Sequence, residues 1–282
     1  MGWYNGNQPL PGVGDLQPRR PYPDINAFAM ETDTANANYE SLQTKLTKRF
    51  SNGLTFLAGY TYSHSLDLQE SDQTGPNPQN TNCMECEYAS SSNDVRQRFV
   101  LSYVYRLPVG QGLHFLDRTG VVDKVLGGWE LSGIFSVQSG FPQNIESATD
   151  YSNTGSQGPR PDRICNGTGP QTVSTWFNAS CFSTTALEAA LASGNPRFGN
   201  AGRNILPGPG LEDWDFALLK SFRLTERVGL EYRFESFDFL NHANFGAPGL
   251  TLGTATFGVL TSATGGSTAT GRDIQMSLKL SF

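Results

Sequence analysis

Four cysteines fall in two local groups, Cys83 with Cys86 and Cys165 with Cys181, and both groups lie in polar, turn-rich stretches. The C-M-E-C spacing could serve zinc or thiol redox chemistry. A zinc site needs further ligands, however, and His64, His114 and His242 are scattered along the chain. Two loop disulfides, Cys83–Cys86 and Cys165–Cys181, formed in an oxidising compartment, are the blander reading and the one adopted. A second group of chemically able side chains, Asp67, Glu70, Asp72, Glu85, Glu87 and Asp94, could attract a cation, but reads as a solvated loop face. His64 with Asp67 could be drawn as an acid–base pair, against the commoner meaning of polar residues at a rim. The G-G-S-T-A-T-G run at 265–271 lacks the lysine of a phosphate loop and suits a hairpin tip. With no G-x-S-x-G, H-E-x-x-H, Walker loop or strand-to-helix G-x-G-x-x-G, neither an enzyme nor a cofactor is expected.

Composition narrows the classes further. A net charge of −6 and a pI near 5.1 leave no basic face to neutralise phosphates, which argues against a nucleic-acid partner. A mean hydropathy of −0.37 and the lack of any apolar run near 18 residues exclude a helical membrane protein. It does not exclude a membrane barrel, whose alternating strands average to a polar sequence. The opening M-G-W-Y-N-G-N has neither a basic start nor an apolar core, so an exported protein is expected to begin upstream of it.

The elements that position these residues are strands. In the final stretch, 271–282, Ile274, Met276, Leu278, Leu280 and Phe282 alternate with Asp273, Gln275, Ser277, Lys279 and Ser281. Side chains alternate faces along a strand, so one face is wholly apolar and the other wholly polar. The length fits the roughly 9–11 residues of a tilted transmembrane strand, and an apolar-out strand ending on an interfacial aromatic suits a barrel. Earlier stretches repeat the pattern. Weakly patterned 36–50 is followed by a turn and by Leu54, Phe56, Ala58, Tyr60 and Tyr62 in phase. Then come Phe99 to Leu107, Trp129 to Val137, Trp214 to Leu224 and Val228 to Phe234. Residues 1–35, rich in proline, read as loop, and short helices are expected near 121–126 and 185–192.

The connections sort by length. Those at 49–53 and 225–227 are short and that at 108–128 is intermediate, whereas 66–95, 140–211 and 241–270 are long. A membrane barrel has short periplasmic turns and long outer loops, and a soluble sandwich has no reason to sort them so. On this threading Tyr60, Tyr62 and Trp214 belong to an outer aromatic girdle, and Tyr103, Tyr105, Trp129, Phe222 and Phe282 to an inner one. The polar rows Glu231, Arg233, Glu235 and Asp273, Gln275, Lys279 face the lumen.

Several stretches resemble the C-terminal barrel of Oar-like TonB-dependent receptors. They are Y-E-S-L-Q-T-K-L-T-K-R-F-S-N-G-L-T-F-L-A-G-Y-T-Y-S-H-S at 39–65, L-G-G-W-E-L-S-G-I-F-S-V-Q-S-G-F-P at 126–142, G-N-A-G-R-N at 199–204 with L-P-G-P-G at 206–210, and Y-R-F-E-S-F-D-F-L-N-H-A-N-F-G at 232–246. Asp238 stands where the family usually has an asparagine. The resemblance implies an all-β transmembrane antiparallel barrel of roughly 22 strands, plugged by an N-terminal domain and working in the bacterial outer membrane. It implies uptake of scarce or bulky ligands with energy relayed by TonB, with the plug, TonB, lipid and an unidentified ligand as partners. Here the plug and TonB box are not found, and there is room for about seven membrane strands. Residues 1–35 then form an outer loop segment, and 36–282 the C-terminal part of the barrel. A passive porin-like channel or a surface adhesin is the alternative. Phe282 resembles the terminal aromatic that the barrel-inserting machinery favours.

Overall fold

The computed structural model describes residues 2–32, 36–68, 77–117, 120–263 and 271–282. Its centre is an antiparallel sheet of seven long strands with one short addition, Ala89–Ser90. The long strands are β1 (Ala37–Ser51), β2 (Leu54–Asp67), β3 (Gln97–Arg106), β4 (Trp129–Gln138), β5 (Leu211–Arg223), β6 (Gly229–Phe237) and β7 (Asp273–Ser281). Neighbours in sequence are neighbours in space, so the sheet is a meander. Among the described residues it does not close: β1 pairs with β2 alone and β7 with β6 alone.

Register converts the alternation of single strands into two faces. Directly paired residues share a face, and along the middle of the sheet the pairings set like against like. One apolar row runs Ala58, Leu101, Phe135, Trp214, and a parallel row pairs Leu54, Tyr105, Leu131, Leu218, Phe234 and Met276. The other face carries Arg106 opposite Glu130 and Glu231 opposite Lys279. A slip of one residue at any seam would put apolar side chains on the polar face, so the pattern fixes the register. The apolar face stays uncovered at its β7 end, where Met276 is 65% and Leu278 67% exposed. The loss of phase after Ser236 corresponds to a real break: β6 ends at Phe237 and Asp238 turns to φ 48°.

The two ends of the sheet differ. One has the tight turns at 52–53 and 224–228, closed in the second case by Leu224 N–H donating to the Val228 carbonyl at 2.9 Å. It also has helix α1 (Val121–Leu126). At the other end the long connections are folded against one another and against the N-terminal segment. The long polar connection over 140–211 holds the expected short helix and, beyond that expectation, a buried core. It contains helix α2 (Thr185–Ala192) and supplies Ile145, Phe177, Cys181, Phe182 and Leu206 to a buried core, with Leu250, Leu252 and Phe257 packed beside them. These apolar residues are sparse and follow no period, so hydrophobic alternation cannot reveal them. Residues 1–35 are likewise more than open loop. Gly2–Asn5 pairs antiparallel with Ala29–Thr32, and Asn153 donates to the carbonyls of Gly12 and Gly14 at 2.8 and 2.9 Å. Residues 33–35 lie outside the described residues.

Candidate functional surfaces: the polar wall and the loop layer

On β6, Glu231, Arg233 and Glu235 alternate onto the polar face. On β7, Lys279, Ser277, Gln275 and Asp273 stand opposite Glu231, Arg233, Glu235 and Phe237. Arg233 donates to Glu235 at 3.2 Å and lies 3.9 Å from Glu231, while Gln275 Nε2 donates to Glu235 at 2.5 Å. Arg106 meets Glu130 at 2.9 Å farther along the same face. These pairs are open to solvent, and such pairs contribute about 0–1 kcal/mol each. The wall is therefore wet and carries charges of both signs, able to hold a hydrated partner but contributing little to stability.

The opposite face carries cations as well, Lys48 opposite Phe56 and Lys220 opposite Trp129. Lys220 lies between the rings of Trp129 and Phe222, 5.3 and 5.0 Å from their centroids, and its ammonium donates to the Gly127 carbonyl. A lysine on an apolar face is tolerable when aromatic rings and a helix-end carbonyl receive its charge.

In the loop layer the structure joins Cys165 to Cys181 and Cys83 to Cys86, with Cα separations of 4.8 and 5.4 Å. The acidic loop residues behave differently from a solvated face. Glu87 is 1% exposed and takes both terminal nitrogens of Arg160 at 2.8 and 2.7 Å. Arg203 donates to the Glu87 backbone carbonyl at 3.0 Å and to the Asp67 carbonyl and side chain. Asp94 is buried as well, whereas Glu85 is exposed; Glu70 and Asp72 lie outside the described residues. A charge leaves water only when paired and hydrogen-bonded, and the arginines that do this come from a distant stretch. His64 does not meet Asp67: its ring contacts Ser90 at 3.2 Å and lies 3.7 Å from Asp94, and Asp67 belongs to Arg203.

The network reaches the N-terminal segment through amides. Gln79 accepts from Arg160 N–H at 2.8 Å and donates to the Gly199 carbonyl at 3.0 Å, while Gln8 donates to the Gln79 carbonyl at 3.0 Å. The G-N-A-G-R-N stretch is its keystone. A side chain on Gly199 would collide with the Arg160 carbonyl, Asn200 accepts from Arg163 N–H at 2.7 Å, and Asn204 donates to the Ser90 carbonyl at 2.7 Å. Beside it Arg197 grips Asp162 at 2.8 and 2.6 Å and holds that carboxyl below its usual range, whereas burial pushes the Glu146 carboxyl up. Arg160, Arg203 and Gln8 were not legible as partners in the sequence, because nothing in their own neighbourhoods marks them.

Among the described residues no group of three or more His, Cys, Asp or Glu side chains could hold a metal ion. The 265–271 hairpin tip falls almost wholly outside the described residues. The girdle assignment needs one correction: Trp214 Nε1 donates to the Tyr103 hydroxyl at 3.2 Å, so these two rings meet and cannot mark opposite girdles. Gly133, which pairs with Tyr103 on the strand between, leaves the space in which they meet.

No helix among the described residues is long and apolar enough to cross a membrane, which says nothing of strands. A two-faced antiparallel meander with turns at one end and folded loops at the other is the wall of an outer-membrane barrel protein. The family model described as an outer membrane beta barrel domain matches residues 1–275, and the chain belongs to that family. Its location is the bacterial outer membrane. No curated protein sequence matches the chain.

Proposed function

We propose that this chain is the C-terminal part of the barrel of an Oar-like TonB-dependent receptor that takes up a scarce or bulky ligand. The observation that carries the reading is a pair of long edges, β1 and β7, unpartnered among the described residues and bounding a sheet with one apolar face. Lipid offers no hydrogen bonds, and each open backbone group there costs several kcal/mol. The edges therefore call for further strands, in a barrel larger than this sheet, with the apolar face against lipid. Coupling to TonB rests on the resemblance of the stretches at 39–65, 126–142, 199–210 and 232–246. In the whole receptor the wall formed by Glu231, Arg233, Glu235, Asp273, Gln275 and Lys279 faces the plug, and the folded loops face the medium.

The test is cross-linking of the full-length protein to TonB in its own cells, together with the coding sequence upstream. A plug domain preceded by a TonB box, and a cross-link lost when that box is deleted, support the receptor. An upstream sequence holding only more strands, with no cross-link, would make the protein a passive channel or adhesin.

A further inference from the structure

One connection at the short-turn end is longer than the others, and α1 lies within it. Asp123 tethers this helix: its carboxylate accepts from Gln111 N–H at 2.7 Å. Two positions along a helix turn a side chain by about 200°, so Val121 and Val125 lie on the face opposite Asp123. They are 77% and 56% exposed. The helix end is also fixed to one side of the sheet. Trp129 Nε1 donates to the Val125 carbonyl at 3.1 Å and Lys220 Nζ donates to the Gly127 carbonyl, and both side chains belong to the apolar face.

We infer that α1 is an interfacial anchor, laying Val121 and Val125 into the headgroup–acyl boundary of the adjoining phospholipid leaflet. The inference rests on the proposed lipid contact of the sheet's apolar face, to whose side Trp129 and Lys220 fix the end of the helix that carries these valines. Lipid is the occupant that fits. Trp129, which holds the end of the helix, is an amphipathic ring of the kind that favours this level of a bilayer. The helix offers a narrow apolar stripe with a tethered acid behind it, which suits shallow insertion and not spanning. It also explains why this connection is long: a tight turn would leave the rim with no such foot.

The four cysteines of this chain are all in disulfides, so with any upstream free cysteine replaced by serine a single introduced thiol can be labelled. In the full-length protein, V125C, V121C, L278C and T225C each receive an environment-sensitive fluorophore. Each is reconstituted in vesicles of phosphatidylethanolamine and phosphatidylglycerol. The expected result is blue-shifted emission at positions 121 and 125, quenched most by lipids spin-labelled near the headgroup, with position 225 water-like. Position 278 should be quenched most by spin labels deep in the acyl chain. Water-like emission at 121 and 125 alongside a lipid-like position 278 would overturn the anchor and leave the membrane-facing sheet intact. Water-like emission at position 278 as well would remove the lipid-facing sheet itself, and the anchor with it.

Discussion

Trp214 on β5 donates its indole N–H to the hydroxyl of Tyr103 on β3 at 3.2 Å, across the intervening strand β4. The contact exists because Gly133 has no side chain. A Cβ there would stand 2.8 Å from the Tyr103 hydroxyl and 2.5 Å from the Asp215 carbonyl oxygen. The phenol oxygen satisfies the indole N–H, so that donor can lie where lipid or another apolar surface covers it.

Gly133→Ala is therefore expected to cost about 1–3 kcal/mol, the usual consequence of overpacking a filled space. Tyr103→Phe, which leaves the ring and removes the acceptor, should cost about 0.5–1.5 kcal/mol. Denaturant midpoints of the full-length protein in detergent would report both. An unchanged midpoint for Gly133→Ala would mean that the strands part easily here and that the close approach has no energetic weight.

The loop layer makes a sharper demand. Arg160→Met leaves Glu87 buried without its bidentate partner, and breaking such a pair costs about 3–5 kcal/mol. The loss should be local, since the sheet keeps its own ladders. Limited proteolysis on whole cells is expected to cut the variant within 77–95 and 140–210 while the strands survive. Adding Glu87→Gln should restore part of the resistance by removing the stranded charge. Equal resistance in wild type and the Arg160→Met variant would show that water enters and solvates Glu87.

What could be read from sequence, and what could not, follows from the range of the forces involved. The alternation in Ile274, Met276, Leu278 and Leu280 is local, and it placed β7 within two residues of its observed limits. The helices at Val121–Leu126 and Thr185–Ala192 were equally local in origin. Arg203 finds Asp67 across 136 residues of chain, and neither residue's surroundings name the other. The acids of 66–95 looked like a solvated face because sequence shows charge but not burial. Tyr103 and Trp214 were separated in height by counting along their own strands, and the count could not see that Gly133 leaves room for a diagonal contact. The family resemblance marked G-N-A-G-R-N as characteristic, and only the structure gives a reason, in the crossing of Gly199 over the Arg160 backbone.

Two carboxylates of the loop layer predict opposite responses to pH. Asp162 is held below its ordinary value of 3.8, chiefly by its hydrogen bonds from Arg197. Its contribution is thus complete above 3.8 and disappears as pH falls through the lower folded value. Glu146 is raised above 4.5 by burial, so the folded state holds its proton longer than the unfolded chain. Stability falls as pH rises from 4.5 through the raised value, and the cost persists at neutral pH. Glu146→Gln should therefore be more stable than wild type at neutral pH, with the difference closing below about 4.5. Asp162→Asn should be less stable, with the difference surviving at 4.5 and narrowing only below 3.8. Proteolysis or hydrogen exchange of the loop layer across this range would show whether the two curves diverge.

The last prediction separates folding from delivery. Phe282 is 98% exposed and follows directly on β7, whose partner strand β6 it scarcely touches by area. Removing its ring takes almost nothing from the packed sheet, so Phe282→Ala should leave the midpoint of the folded protein unchanged within about 0.5 kcal/mol. On the proposed reading, in which Phe282 resembles the aromatic that the barrel-inserting machinery favours, the amount of full-length protein in the outer membrane should nevertheless fall severalfold. Phe282→Trp, which keeps an amphipathic ring at the rim, should restore it. The measurement is a paired one, the quantity in isolated outer membranes and the denaturant midpoint of what is recovered from them. Full amounts of Phe282→Ala in the membrane would remove the insertion role. A large drop in midpoint would mean instead that the ring packs against a strand beyond β7 in the complete barrel.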